Sequence, residues 1–105
     1  MTIDQPLILS PRMEAAIAEI QQRILERFPE AMFDVGHGED PEGIHLIATV
    51  DLEDLGEVVD LYLDRLVDMQ IDEGLPLYVV PTRPIARSLE MLRREQARAS
   101  WMRGA

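Results

Sequence analysis

"AMFDVGHGEDPEGIHLIATVD", residues 31–51, is the stretch on which the fold turns. Apolar and polar residues alternate through 31–37 and again through 44–51, the period-two pattern of half-buried strands. Between them "GEDPEG" has a glycine at each end and a proline in the middle, the usual chemistry of a turn. Pairing Val35 with Leu46 and Phe33 with Ala48 gathers Phe33, Val35, Ile44, Leu46, Ala48 and Val50 on one face. A slip of one residue would set Phe33 and Val35 beside His45 and Thr49, so burial selects the first register. His37 then falls on the core side opposite Ile44, and His45 on the other face opposite Gly36. Two imidazoles on opposite faces cannot share a metal, and their separation in sequence matches no zinc pattern. Glu39, Asp40 and Glu42 are the acids of a wet turn. "GHG" lacks the spacing of a dinucleotide loop. No metal and no cofactor is expected.

Upstream, residues 11–28 read as a helix. Ser10 suits the N-cap and Pro11 the first helical position, and Met13, Ile17, Ile20, Ile24 and Phe28 recur at steps of three and four. Downstream, Asp54 and Glu57 have capping-box spacing ahead of a long helix. Leu55, Val58, Val59, Tyr62, Leu66 and Met69 form its apolar stripe, and Gly74 and Pro76 end it. Its polar side is a column of acids, Glu53, Glu57, Asp60, Asp64, Asp68 and Asp72, with Leu61, Val67 and Ile71 in or near it. "LYVVP", residues 77–81, is a short strand with the flanking prolines of a sheet edge. A basic helix over about 84–102 completes the chain. Ile85, Leu89 and Leu92 are read as its inward residues, a stripe that fades at Gln96 and Ala99.

The fold class predicted is α+β in a single domain over 1–105: a small antiparallel sheet with helices on one face, plus the C-terminal helix. Ferredoxin-like topology is favoured, with residues 7–9 supplying the further strand it requires.

Composition removes several chemistries. Cysteine is absent, and with it disulfides, thiolate nucleophiles and iron–sulfur ligands. Lysine is absent too, which excludes a Schiff-base amine and the lysine of a phosphate-binding loop. No apolar run is long enough for a membrane span or a signal peptide, so a cytoplasmic protein without a membrane partner is expected. The net charge of −10 is unevenly spread. Residues 1–82 hold 18 carboxylates and four arginines, leaving −14, and residues 83–105 hold six arginines and two glutamates, leaving +4. The acidic body opposes nucleic-acid binding, whose affinity rests on phosphate contacts.

Residues 26–51 and 58–84, "ERFPEAMFDV", "GEDPEGIHLIATVD" and "VVDLYLDRLVDMQIDEGLPLYVVPTRP" among them, resemble a family of small uncharacterised bacterial proteins. The resemblance implies a bacterial origin. It brings no established activity and no functional residue.

Two sites follow from the residues themselves. On the open sheet face His45 has Asp34 diagonally across the hairpin, a pair capable of acid–base work or of holding a small ligand. No nucleophile or oxyanion device accompanies it, so an enzyme is the lesser alternative. The stronger lead is the terminal helix. Arg83, Arg87, Arg94 and Arg98 fall near one face, with Trp101 a turn farther on, and arginine and tryptophan dominate binding hot spots. Such a helix has three fates: a frayed basic tail, docking on the chain's own acidic helix around Leu61, Asp64 and Asp68, or docking on that helix in a second copy. The third is favoured, making the chain a non-enzymatic homodimeric interaction module; another protein with an acidic surface is the remaining partner.

Overall fold

The computed structural model describes residues 9–39 and 41–104, with side chains through Arg98. Helix α1 spans Pro11–Arg27. The Ser10 hydroxyl accepts the Met13 N–H at 3.1 Å, satisfying one donor of the open first turn. Met13, Ala16, Ile17, Ile20 and Ile24 are its buried face.

Strands β1, Met32–Glu39, and β2, Glu42–Thr49, form the antiparallel hairpin with Val35 opposite Leu46 and Phe33 opposite Ala48. This is the register that burial demanded. Leu46 and Ala48 lose all solvent contact, while Phe33, Val35 and Ile44 pack half-buried around them.

Helix α2, Gly56–Ile71, follows. Its N-cap is Leu55, without a side-chain cap, so the capping box expected from Asp54 and Glu57 does not form; the Asp54 carboxylate instead accepts the Gly56 N–H at 2.9 Å. Val58, Tyr62, Leu66 and Met69 face the core. Burial pushes the Tyr62 phenol above its ordinary pKa. Gly74, at a φ of 65°, reverses the chain, and the Leu75 N–H bonds back to the Met69 carbonyl at 3.0 Å.

Strand β3, Leu77–Thr82, lies beside β2, giving the order β1-β2-β3. Here the structure departs from an all-antiparallel sheet. β3 runs parallel to β2, Ile44 against Leu77 and Thr49 against Thr82. The reason is the crossover: α2 carries the chain back across one face of the sheet, so the next strand starts from the same end as β2. The class is small α+β with a mixed sheet. The strand proposed at residues 7–9 falls largely outside the described residues; Leu9 packs half-buried against the core. Because β2 bonds directly to both neighbours, further strands can join only at an edge.

Both α1 and α2 cover the same sheet face. Between them Arg65 acts as a bracket. Its Nε donates to Glu19 of α1 at 2.6 Å and its Nη1 to Glu73 at 3.1 Å, with Arg12 also reaching Glu73 at 3.5 Å. The hydrogen bond from Arg65, then the charges of Arg65 and Arg23, hold the Glu19 carboxyl below its ordinary pKa against partial burial.

Two predictions follow. A Cβ on Gly43, where φ is 153°, would stand 2.5 Å from the Pro76 carbonyl oxygen and 2.8 Å from the Tyr78 ring. Gly43→Ala therefore wedges β2 from β3 and lowers unfolding free energy in urea by about 1–3 kcal/mol. Since the folded-state pKa of Glu19 is depressed, its ion pair stabilises above the unfolded value of 4.5 and is lost as pH falls through the folded one. The unfolding free energy of Glu19→Gln should lie below the parent's at neutral pH by less than about 1 kcal/mol, and the gap should close in acid below 4.5.

Candidate functional site

Parallel strands leave a sheet from the same end, and that places the only strongly basic segment beside an acidic one. Val50 N–H bonds to the Thr82 carbonyl at 2.9 Å, the last rung before the two chains part. β2 runs on into Asp51, Leu52 and Glu53; β3 runs on into Arg83 and Pro84. Helix α3 then spans Ile85–Gly104.

Three arginines tie α3 to the acidic loop. Arg83 donates from Nε to the Leu52 carbonyl at 3.0 Å and from Nη2 to the Glu53 carbonyl. Arg87 donates to the Asp51 carboxylate at 2.6 Å and reaches Glu53 at 3.5 Å. The bond to Asp51 is the main cause of a raised Arg87 pKa. Arg94, two turns on, pairs with Glu53 at 3.2 Å. Arg98 lies exposed beyond them. An open cleft of about 750 Å³ lies along this side, lined by Glu53, Arg83, Met91, Arg94 and, at its outer rim, Leu92 and Glu95 among others.

The clamp overturns one expectation. Ile85, Leu89 and Leu92 do not face inward: they are 78, 54 and 56% exposed. At 100° per residue Arg87, Arg94 and Arg98 occupy one side of α3 and Ile85, Leu89 and Leu92 the other. With Asp51 and Glu53 waiting at the helix start, the arginine side turns to the body and the apolar stripe turns outward. The molecule is drawn out accordingly, 59 × 36 × 24 Å. Its radius of gyration is 17.2 Å, against about 13 Å for a compact chain of this length. Trp101 falls within α3, and its side chain lies outside the described residues.

Among the described residues the arginines of α3 meet the acidic column only at its first member, Glu53, and not along α2 itself. Among the described residues Asp60, Asp64 and Asp68 form no ion pair. Beside them runs an apolar row that sequence reading caught only in part. Leu63, Val67 and Ile71 are 45, 38 and 74% exposed, whereas Leu61 is half-buried. Leu63 stands four residues before Val67 and eight before Ile71; that spacing was the signal for it.

The second candidate pair is differently placed. His45 does lie on the open face opposite Gly36, and Asp34 opposite Ile47. But the His45 Nε2–H donates to the Pro41 carbonyl at 2.8 Å, which fixes the ring. The imidazole covers Gly38, where a Cβ would meet it at 2.5 Å, and it tilts against Tyr78 with ring centres 5.6 Å apart. Neither the cleft along α3 nor a smaller one of about 260 Å³ near Phe28 and Pro84 touches His45 or Asp34. His37 is exposed at the far end of β1. Among the described residues no three His, Asp or Glu converge as metal ligands, and no helix is long and apolar enough to cross a membrane.

Comparison with family models, curated proteins and solved structures returned no match, so the chain's own geometry carries the functional argument.

The clamp can be loosened selectively. Each exposed ion pair contributes about 0.2–1 kcal/mol. The double change Asp51→Asn and Glu53→Gln should lower amide-exchange protection in residues 87–95 by about two- to five-fold and leave β2 unaffected.

Proposed function

We propose that the chain is a non-enzymatic, cytoplasmic interaction module that works as a homodimer, with α3 as the joining arm. One observation carries the reading: an apolar stripe, Ile85, Leu89 and Leu92, is held facing solvent because the opposite side of its helix is tied down by arginines. A long helix whose apolar side has nothing of its own domain to cover stays in water at a cost of about 25 cal/mol for every Å² of apolar surface. Contiguous exposed apolar surface rimmed by charge is the mark of an association site. A second copy is the simplest occupant, since the same chain bears both the basic arm and a strongly acidic body. The histidine on the open face already has its hydrogen bond and borders neither cleft, which supports no reaction there.

Light scattering of the full chain at micromolar concentration and low salt should give twice the chain mass. Leu89→Glu changes an exposed position, so it should keep the parent's circular dichroism while weakening association at least about ten-fold, the scale of a central interface residue. A parent that scatters as a single chain throughout this range refutes the dimer.

A further inference from the structure

The surface that receives α3 is also on the molecule. Resting on the reading above, we infer that the Ile85–Leu89–Leu92 stripe of one copy packs antiparallel on the Leu63–Val67–Ile71 row of α2 in another.

Fit in length comes first. At 1.5 Å per residue the α3 stripe is about 10 Å long and the α2 row about 12 Å. Both rows are exposed, and both repeat at steps of three or four, the spacing with which helices interlock.

Charge chooses between surfaces. Pairing α3 with the α3 of the other copy would set one cationic helix against another. The open sheet face offers apolar Met32, Ile47 and Val80 but, among the described residues, only Asp34 as an acid. The α2 row is flanked along one side by Asp60, Asp64 and Asp68, which have no cation of their own among the described residues. Arg65, the one arginine of α2, is turned away toward Glu19.

Charge also chooses direction. On the 100° wheel Arg93 flanks the α3 stripe on one side and Glu95 on the other. When two helices lie antiparallel, corresponding flanks meet, so Arg93 comes alongside the aspartates and Glu95 alongside the side that Gln70 occupies. Parallel packing would reverse this and set Glu95 against the acids. With Leu89 over Val67, Arg93 stands level with Asp60 and Asp64. Arg93 is 77% exposed and among the described residues holds only Glu90, one helical turn away at 3.3 Å, a pair easily exchanged. Each copy offers both a stripe and a row, and a two-fold pair in which each is used twice leaves neither surface uncovered.

The cysteine-free chain allows a direct test. Val67→Cys and Leu89→Cys, made in separate chains, mixed and oxidised, should give a 67–89 disulfide between copies in at least ten-fold excess over either like pair, since helices in contact bring opposed positions within bonding range. Arg93→Glu should weaken association about three- to five-fold, and adding Asp64→Arg should restore it. Abundant 89–89 disulfide would place α3 on α3 instead. A mixture in which Leu89→Cys couples to Val80→Cys and not to Val67→Cys would place the arm on the open sheet face. Either result, in a chain that scatters as a dimer, overturns this docking alone; a parent that stays monomeric overturns the dimer reading as well.

Discussion

Leu46 and Ala48 lie at zero exposure on the middle strand, on the apolar face that their pairing with Val35 and Phe33 creates and that α1 and α2 cover, and the other elements are placed around that face. Only one face of β2 is apolar enough to be covered, so α1 and α2 must lie on the same side. With α2 there, the crossover returns the chain parallel to β2. Parallel return brings Arg83 out of the sheet beside Leu52 and Glu53. Had β3 run the other way, its basic continuation would have emerged at the end that carries the turn at Pro41. The clamp is therefore a product of topology, and the outward face of α3 a product of the clamp.

Two kinds of electrostatic work divide the arginines. Arg65 joins secondary structure inside the domain, bridging Glu19 on α1 and Glu73 beyond the end of α2. Arg83, Arg87 and Arg94 orient a helix that otherwise makes little contact with the body. These are largely exposed pairs, and each alone contributes little to stability. Their effect is directional: several small attractions on one side of a helix suffice to choose which side meets water.

Much of this was legible in the residues. Ser10 and Pro11 mark the start of α1, and the alternation around "GEDPEG" fixes the hairpin register, because both are local rules with one good solution. The direction of β3 was not legible, since it depends on how α2 crosses the sheet, a long-range matter that five or six residues cannot encode. Nor was the orientation of α3. Periodicity shows that Ile85, Leu89 and Leu92 share a side, but not what that side meets. The charge split and the acids of "VDLED", residues 50–54, held the missing information, because an acidic loop next to a basic helix start competes with the core for the helix. Val67 and Ile71 were read as outward-facing and are exposed, while Leu61, placed beside them, is half-buried and Leu63 was passed over. The chemistry-bearing pair was legible in position only: the register put His45 and Asp34 on the open face, yet the bond from His45 to Pro41 depends on how the turn folds back.

The projecting arm also alters how large the molecule looks to its surroundings. A radius of gyration of 17.2 Å belongs to a compact chain of about 220 residues, roughly double this one. A lone copy thus has the small-angle scattering radius of a compact chain twice its weight. A pair with both arms laid flat would carry double the mass in a particle of nearly the same girth, so coming together would register as gained density far more than as gained size.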